Sequence, residues 1–563
     1  MSKIVALAES QLKEAILSAL GKAVAAEELP AESIPAFGVE IPGDRAHGDL
    51  SANAAMVSAR AFRLPPRKIA EIIEKHLVLE GTFFEKAEVA GPGFLNFFLS
   101  PAFYAAVVAD VLEQGDRYGR SDFGQGKKVM VEFVSANPTG PMHMGNARGG
   151  ALGDCLAAVL DAAGYDVWRE FYVNDAGNQF EKFGLSLEVR YIQHLKGEDA
   201  AELPEDAYHG DDIKEHAAGF AALYGDKYLD VPAEERRAAL VKYALPLNIE
   251  RMHRDLEKYR ITYDRWFLES SLHESGEVKD VVDLLTGKGL TYEKDGAVWY
   301  KASENGGEKD EVLIRANGNP TYFAADIAYH RNKFARGFDT CIDVWGADHH
   351  GHVARMKGAM DAVGLDGSRL QVVLIQLVRL MQGGEVVRMS KRSGKAIQLS
   401  DLLDEVPVDA ARFFFNMREA NTRMDFDLDL AVEQSSSNPV YYVQYAHARI
   451  CSIFKNLAAD GIAPRVCEAA ELARLTAPEE KELIRHLAAY TEEIVTAAKT
   501  YEPARITRYC LELATLFHKF YNTCRVKGEE DSLMQARLAL CAATRNTLKN
   551  ALTLLKIDAP ESM

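Results

Sequence analysis

Apolar residues in this chain recur with two periods, and each change of period marks a boundary between elements. Near the amino terminus Ile4, Leu7, Leu12, Ile16 and Leu20 fall on roughly one face of a helix predicted over Ser2 to Lys22. An alanine-rich helix from about Ala52 to Phe62 follows a turn at Ala46 to Leu50, and Pro65-Pro66 opens another that carries Ile69, Ile72 and Leu77. Val89 to Phe98 reads as a glycine–proline turn running into an aromatic strand. Val129 to Val134 is the β-branched and aromatic run of a buried strand, and Asn137-Pro138-Thr139-Gly140-Pro141 breaks it with a turn. From Ala147 the period becomes helical, with Leu152, Leu156, Val159 and Leu160 on one face and Gly164 as the stop; Asp166 to Val173 is then a second strand. Strand, turn, helix, strand is the opening unit of a doubly wound parallel sheet, whose ligands sit at strand ends beside helix N-termini. The fold class predicted is α/β, built on such a doubly wound parallel sheet.

Further along, residues 174–179 form a polar turn at a strand end, and Phe180 to Leu256 reads as helices with an acidic, poorly patterned interior around Lys196 to Lys214. A helix over Leu272 to Lys288 precedes short strands from Gly296 to Leu313, interrupted at Glu304 to Gly307. Cys341 to Val344 is a strand ending in a glycine-flanked polar cluster that includes Gly346, Asp348, His349, His350 and His352. From Leu402 the pattern is almost wholly helical, with Met424 to Leu430 as an acidic turn. Three parts result: a small N-terminal α/β domain over 1–115, a central doubly wound domain with insertions over 116–400 and an α-helical bundle over 401–563. Gly115 to Lys127, glycine-rich and charged, is the expected linker.

Composition narrows function little. At 563 residues the chain exceeds one core, and its 48% hydrophobic and 26% charged residues are those of a soluble globular protein. No run of about 18 apolar residues suits a membrane span, and Glu9 and Glu14 in the first helix argue against a secretory signal. Seven scattered cysteines without a C-x-x-C pair fit reduced cytoplasmic thiols. The net charge of −18 argues against an indiscriminate polyanion binder but leaves shape-based RNA recognition open.

Two stretches carry phosphate chemistry. His143-Met144-Gly145-Asn146 stands where the first crossover helix begins, the place where free N–H groups and the helix dipole favour phosphate. Alone it also fits a glycine-bearing helix start with a chance histidine. Arg388-Met389-Ser390-Lys391-Arg392-Ser393-Gly394-Lys395 is a glycine-flanked loop whose Lys391 is a point charge able to close over a leaving pyrophosphate, or simply a solvated basic loop. Their order and separation make them one signal. Glu132, on the strand before the first motif, and Asp326, four residues after Tyr322 and on its face if that segment is helical, suit a guanidinium, although strand-end surface charges would look alike. The histidines at 349, 350 and 352 lack the cysteine or carboxylate repeat of a structural zinc site, so no protein-bound metal is expected. Tyr441, Tyr445 and Arg449 share a helix face that reads as a base-stacking platform or as a partly buried structural stripe. Phe97 and Phe98 read as core, while Phe94 and Asn96 beside the turn are placed to meet an unpaired base.

The two loops resemble the HIGH and KMSKS signatures of class I aminoacyl-tRNA synthetases, with Asn146 in place of the second histidine. AHGDLSANAAM, VEFVSANPTGPMHMGNARGG, FYVNDAGNQ, DRWFLESSLHESG, VWGADHHGH, RMSKRSGK, the run from Met424 to Ile453 and KIDAPE together resemble the bacterial arginyl-tRNA synthetase family over essentially the whole chain. That resemblance implies an N-terminal domain touching the tRNA elbow, a Rossmann catalytic domain and an anticodon-binding bundle. It implies ATP with Mg²⁺, L-arginine and tRNA(Arg) as reactants, activation that requires bound tRNA, and a cytoplasmic monomer with no obligate protein partner. The arginine side chain is expected at Glu132, Tyr322 and Asp326, and its α-amino and carboxylate end at Asn137 and His349. ATP is expected at Pro141, Met142, His143, Met144, Gly145, Asn146, Gly346, Asp348, Met389, Ser390 and Lys391, with His143, Asn146 and Lys391 as the catalytic set. Tyr441, Tyr445, Arg449, Phe94 and Asn96 are expected to meet tRNA. Another class I synthetase is the nearest rival, which paired carboxylates disfavour. A weakened RNA-binding paralogue is the second, suggested by Asn146 alone. A nucleotidyltransferase without tRNA would leave the C-terminal helices unexplained.

Overall fold

The computed structural model describes residues 2–387 and 397–563. At its centre five parallel strands lie in the order Leu370–Ile375, Thr340–Gly346, Lys128–Glu132, Asp166–Val173, Arg265–Leu268. Strand order reverses between Lys128–Glu132 and Thr340–Gly346, which is where a doubly wound sheet opens its ligand crevice. Across that switch point Glu132 and Asp343 are register partners, so the sheet itself brings two carboxylates together.

The first crossover helix, Gly145–Ala162, is buried along most of its length and lies unusually close to the sheet. Gly153 permits this. A Cβ there would come within 2.3 Å of the Phe133 ring, so a side chain at this position would push the helix off its strand. The N-terminal domain is a four-stranded antiparallel sheet, Val39–Glu40, Leu50–Ala52, Phe94–Leu99, Phe84–Ala90, backed by helices Lys3–Ala25, Ala54–Phe62 and Pro66–His76. Between the second and third central strands stands a helical insertion (Asn178–Lys196, Asp211–Tyr224, Ala233–Lys258) with its own apolar cluster around Phe183, Tyr191, Phe220 and Leu240. Helices Pro439–Ala459, Pro478–Thr500, Ala504–Thr523 and Asp531–Leu554 form the C-terminal bundle.

Two expectations need correcting. Residues 115–127 are no free tether: Tyr118 is buried and donates its hydroxyl to the Leu487 carbonyl at 2.8 Å, while the Asn550 amide donates to the Gly115 carbonyl at 2.9 Å. The polar composition of the stretch reflects backbone hydrogen bonding to neighbouring elements, which sequence pattern does not report. The acidic segment from Met424 contains a strand, Met424–Asp427, paired in parallel with Val378–Gln382, which in turn pairs antiparallel with Glu385–Val387. Its alternation of buried Met424 and Phe426 with exposed Asp425 and Asp427 is a short period-2 pattern that the acidic residues disguise.

One apolar core runs from Leu12 and Phe97 of the N-terminal domain through Val131 and Leu156 to Phe413, Leu513 and Leu548 of the bundle. Among the described residues no helix is long and apolar enough to cross a membrane.

Candidate active site

Directly after Glu132 the backbone enters left-handed conformation at two residues without glycine's freedom, Val134 (φ 71°) and Ser135 (φ 45°). For β-branched Val134 this is a true outlier, of the kind that marks functional turns. It turns Ser135 back on the strand, so that its hydroxyl donates to Glu132 Oε1 at 2.8 Å and accepts the Tyr172 N–H at 3.2 Å.

Glu132 is buried, which excludes its reading as a surface charge. Its second oxygen receives the Lys333 ammonium at 2.5 Å, and Lys333 also reaches Asp343 Oδ1 at 2.7 Å. Asp343 Oδ2 meets His330 Nε2 at 2.6 Å; His330 Nδ1 lies 3.2 Å from Asp326 Oδ1, and Asp326 Oδ2 accepts from His352 Nε2 at 2.5 Å. Arg355 donates to His352 Nδ1 through Nε at 3.1 Å and pairs with Glu311. One unbroken chain of ion pairs and hydrogen bonds thus joins the two carboxylates expected to face a guanidinium.

The partners fix the charges along it. His352 accepts at one ring nitrogen and donates from the other, so it is the neutral tautomer. His330 faces acceptors at both nitrogens and is an imidazolium. Burial and then the Lys333 charge oppose its protonation, yet Asp343 and Asp326 outweigh them and raise its pKa to about 9. Burial works against Asp326 as an anion, but His330 and His352 hold its carboxyl well below the usual range. Burial pushes Glu132 up, and Lys333 offsets this only in part. Arg355 cancels Glu311. Three carboxylates against Lys333 and His330 leave the cluster short of one cation.

Tyr322 and Asp326 do share a face of the helix Tyr322–Ala335, and Asp326 is the main cause of a raised Tyr322 pKa. Tyr322, half exposed, divides two clefts. One of about 360 Å³ is lined by His349, Asp348, His352 and Arg355. The other, about 700 Å³, is lined by Asn174, Glu269, His273 and Arg315 among others. Gly346, Asp348 and His349 stand exposed at the mouth, at the end of the Thr340–Gly346 strand; Asn137 is also exposed, and no hydrogen bond ties it to the charged cluster. Sequence reasoning passed over Lys333, Asp343 and His330, and took His352 only as part of the polar cluster at the strand end. A signal existed: Asp326, His330 and Lys333 recur at i, i+4, i+7, the spacing of a core face, among the buried apolar residues Phe323, Ile327 and Phe334 of their helix.

At the phosphate motif the Gly145 N–H donates to His143 Nδ1 at 3.0 Å, a contact that a Cβ at Gly145 would crowd at 3.1 Å. The other ring nitrogen, Nε2, therefore carries the proton and faces outward; partial burial lowers the pKa and keeps the ring neutral. The expectation of free N–H groups at the helix start does not hold, because Asn146 N and Ala147 N donate to the His143 and Met144 carbonyls at 2.9 Å. What remains for an anion is the dipole and the side chains. The Asn146 amide makes no hydrogen bond to a described residue, while Pro141 is half-buried beside it. The Met142 and Met144 side chains are buried, the Met142 carbonyl accepts from Leu399 N, and Met144 N donates to the Ile397 carbonyl. Apolar side chains at these two alternate positions fill the core so that His143 between them faces out.

Met389, Ser390 and Lys391 lie outside the described residues. The segment that follows them meets the first motif, where His143 bridges Gln398, and the Glu385–Val387 strand that precedes them pairs with Val378–Gln382. Buried Arg148, one turn into the motif helix, ties that helix to the segments leading into Val378–Gln382 and Met424–Asp427, donating to the carbonyls of Gln376, Thr422 and Glu419 at 2.8–2.9 Å.

In the bundle Tyr441 and Tyr445 stack 6.5 Å apart, and Arg449 lies over Tyr445 and Tyr521 at 4.9 and 5.4 Å. Tyr445, Arg449, Tyr521, Arg525 and Lys527 line a groove of about 840 Å³. In the N-terminal sheet Phe97 is core, but Phe98 is half-buried with Lys86 5.0 Å above its ring. Phe94 is half-buried, and Asn96 lies buried in a central strand with Oδ1 accepting from the Ser51 hydroxyl at 2.8 Å.

A switch-point crevice with a phosphate motif at its first crossover helix is the catalytic architecture of a class I aminoacyl-tRNA synthetase, and the family model described as "tRNA synthetases class I (R), catalytic domain" matches residues 107–453. The models "Arginyl tRNA synthetase N terminal domain" and "DALR anticodon binding domain" match 10–99 and 443–563. Curated arginine–tRNA ligases of Caldanaerobacter subterraneus subsp. tengcongensis and Acetivibrio thermocellus are 58% and 56% identical, each over 100% of both chains. The solved arginyl-tRNA synthetase of Thermus thermophilus shares the fold, with a TM-score of 0.72 and 23% identity over 99% of this chain and 100% of its own. The chain belongs to the arginyl-tRNA synthetase family, ATP-dependent ligases that join arginine to tRNA.

Proposed function

We propose that the guanidinium of L-arginine is the cation that the buried cluster lacks, received by Glu132, Asp326 and the Tyr322 hydroxyl. The observation that carries this reading is the charge count itself. Three buried carboxylates face two cations at the sheet's switch point, so a third cation neutralises the cluster. Asn137 and His349 take the α-amino and carboxylate end, and the exposed Gly346 and Asp348 take the adenosine. His143 through Nε2–H and Asn146 through its amide hold the ATP phosphates at the dipole of the Gly145–Ala162 helix, and Lys391 closes on the leaving group.

The arginine carboxylate attacks the α-phosphorus of ATP, entered as its Mg²⁺ complex, and pyrophosphate leaves with the bridging electron pair. A ribose hydroxyl of the terminal adenosine of tRNA(Arg) then attacks the adenylate carbonyl and AMP leaves. No protein nucleophile takes part; alignment and charge stabilisation carry the rate. The bundle groove around Tyr441, Tyr445 and Arg449 receives the anticodon arm, and the N-terminal domain, to about residue 115, meets the tRNA elbow around Phe94. We take the protein as a cytoplasmic monomer whose activation step needs tRNA.

The test is arginine-dependent ATP–pyrophosphate exchange with and without tRNA(Arg). Exchange only with tRNA is expected. Exchange without it removes the tRNA requirement while keeping arginine. None under either condition, with tRNA still bound, overturns the catalytic reading.

A further inference from the structure

His330 touches neither the sheet's phosphate motif nor either cleft, and nothing in the proposed reaction uses it. It is nevertheless the joint on which the charged chain turns. Its Nε2 meets Asp343 at 2.6 Å on the neighbouring strand, and its Nδ1 meets the Asp326 carbonyl at 2.8 Å and Oδ1 at 3.2 Å on its own helix. We propose that His330 is a positioning residue that, as a doubly protonated imidazolium clamped between Asp326 and Asp343, fixes the Asp326 carboxylate for the arginine guanidinium and so contributes to charge-selective recognition. This rests on the placement of the guanidinium at Asp326 given above.

The carboxylates around the ring favour its charge and outweigh the Lys333 ammonium, which opposes it. On its own helix stand Asp326, the Lys333 ammonium and the Tyr329 ring; from the Thr340–Gly346 strand come Asp343 and the Trp345 ring. From the strand Lys128–Glu132, Glu132 acts through Lys333, and from the helix His350–Val363, neutral His352 shares Asp326. Lys333 is already committed to Glu132 and Asp343. Without a charged His330, Asp326 would therefore keep a single side-chain donor, His352, and would be free to take up a proton or swing towards it. A neutral histidine would carry one proton for two acceptors, leaving one buried oxygen unpaired. The imidazolium is the protonation state that satisfies both.

Two measurements test this. In wild-type protein with ¹⁵N-labelled imidazoles, His330, assigned by its loss in His330→Gln, should show both nitrogens protonated at neutral pH, with the proton leaving near pH 9. A neutral ring at pH 7 overturns the proposal, and this readout does not depend on any variant's activity. In exchange assays with saturating tRNA(Arg), His330→Gln should raise the arginine KM about tenfold or more, the scale of one charge-assisted hydrogen bond, with the ATP KM within about twofold. Selectivity for arginine over its neutral isostere citrulline should fall by a similar factor, which a general loss of stability would not produce. An unchanged arginine KM and unchanged citrulline selectivity overturn the proposal. Asp326→Asn separates the two ideas. If it weakens arginine and His330→Gln does not, only the positioning role fails; if Asp326→Asn is silent, the guanidinium placement fails, and the role of His330 in recognition fails with it.

Discussion

Arg412, in the helix Val408–Phe415, donates to Asp154 of the Gly145–Ala162 helix at 2.6 Å with both side chains inaccessible to solvent. The same guanidinium donates to the carbonyls of Leu555 and Tyr259 at 2.7 and 3.0 Å. One residue therefore joins the C-terminal end of the chain, the insertion's last helix and the Gly145–Ala162 helix. Lys556 supports Asp154 from the other side at 3.0 Å.

Breaking this joint leaves a buried anion and two buried carbonyls without their main donor. Arg412→Met should lower unfolding free energy by about 3–5 kcal/mol, towards the lower end because Lys556 still faces Asp154. Chemical denaturation followed by far-UV circular dichroism measures it. A loss below about 1 kcal/mol would show that the pair contributes little beyond its own desolvation.

Gly153→Ala tests the close approach of helix and sheet. The added methyl would overlap the Phe133 ring, so the helix must move or the ring must leave its rotamer, at a cost of about 1–3 kcal/mol. Because the same helix begins at Gly145, the ATP KM should rise as well, while the arginine KM stays near its wild-type value. Steady-state exchange kinetics separate the two.

The charged cluster gives a pH dependence of definite sign. The folded pKa of His330, about 9, lies above its ordinary value of 6.5, so its protonated form stabilises the fold. That contribution is complete below about pH 6.5 and disappears as pH rises through about 9. The difference in unfolding free energy between the wild type and His330→Gln should accordingly be greatest near pH 6 and shrink towards pH 10. Asp326 acts oppositely: its depressed pKa stabilises the fold above the ordinary carboxylate range and is lost only in strong acid.

In the bundle, Arg449→Ala removes the cation lying over Tyr445 and Tyr521 and frees the Tyr445 hydroxyl it bonds at 3.0 Å. Filter binding should report a loss of tRNA affinity of about 1–3 kcal/mol with a reduced salt slope. KM values for ATP and arginine at saturating tRNA should not change.

Much of this protein was legible before any coordinates. The run from Val129 to Val173 predicted strand, turn, helix and strand within a few residues, since each carries strong local signals: β-branching, proline and glycine breaks, and a helical apolar period. Pattern was less informative where polar residues serve the tertiary structure. Residues 115–127 have a linker's composition but are fastened to the bundle, and acidic Met424–Asp427 is a strand.

The sequence by itself determined the class of fold and offered the two candidate phosphate motifs, because these rest on residue type at local spacing; Glu132, Tyr322 and Asp326 became candidates through the family resemblance that the same motifs carry. Only the tertiary structure decided their chemistry. Glu132 and Asp343 are 211 positions apart in the chain yet become register partners when the sheet reverses its strand order. Lys333, His330 and His352 then fill the space between carboxylates from two helices. A charge count in a buried site depends on which groups burial forces into contact, and that follows from strand order rather than from any local run of residues.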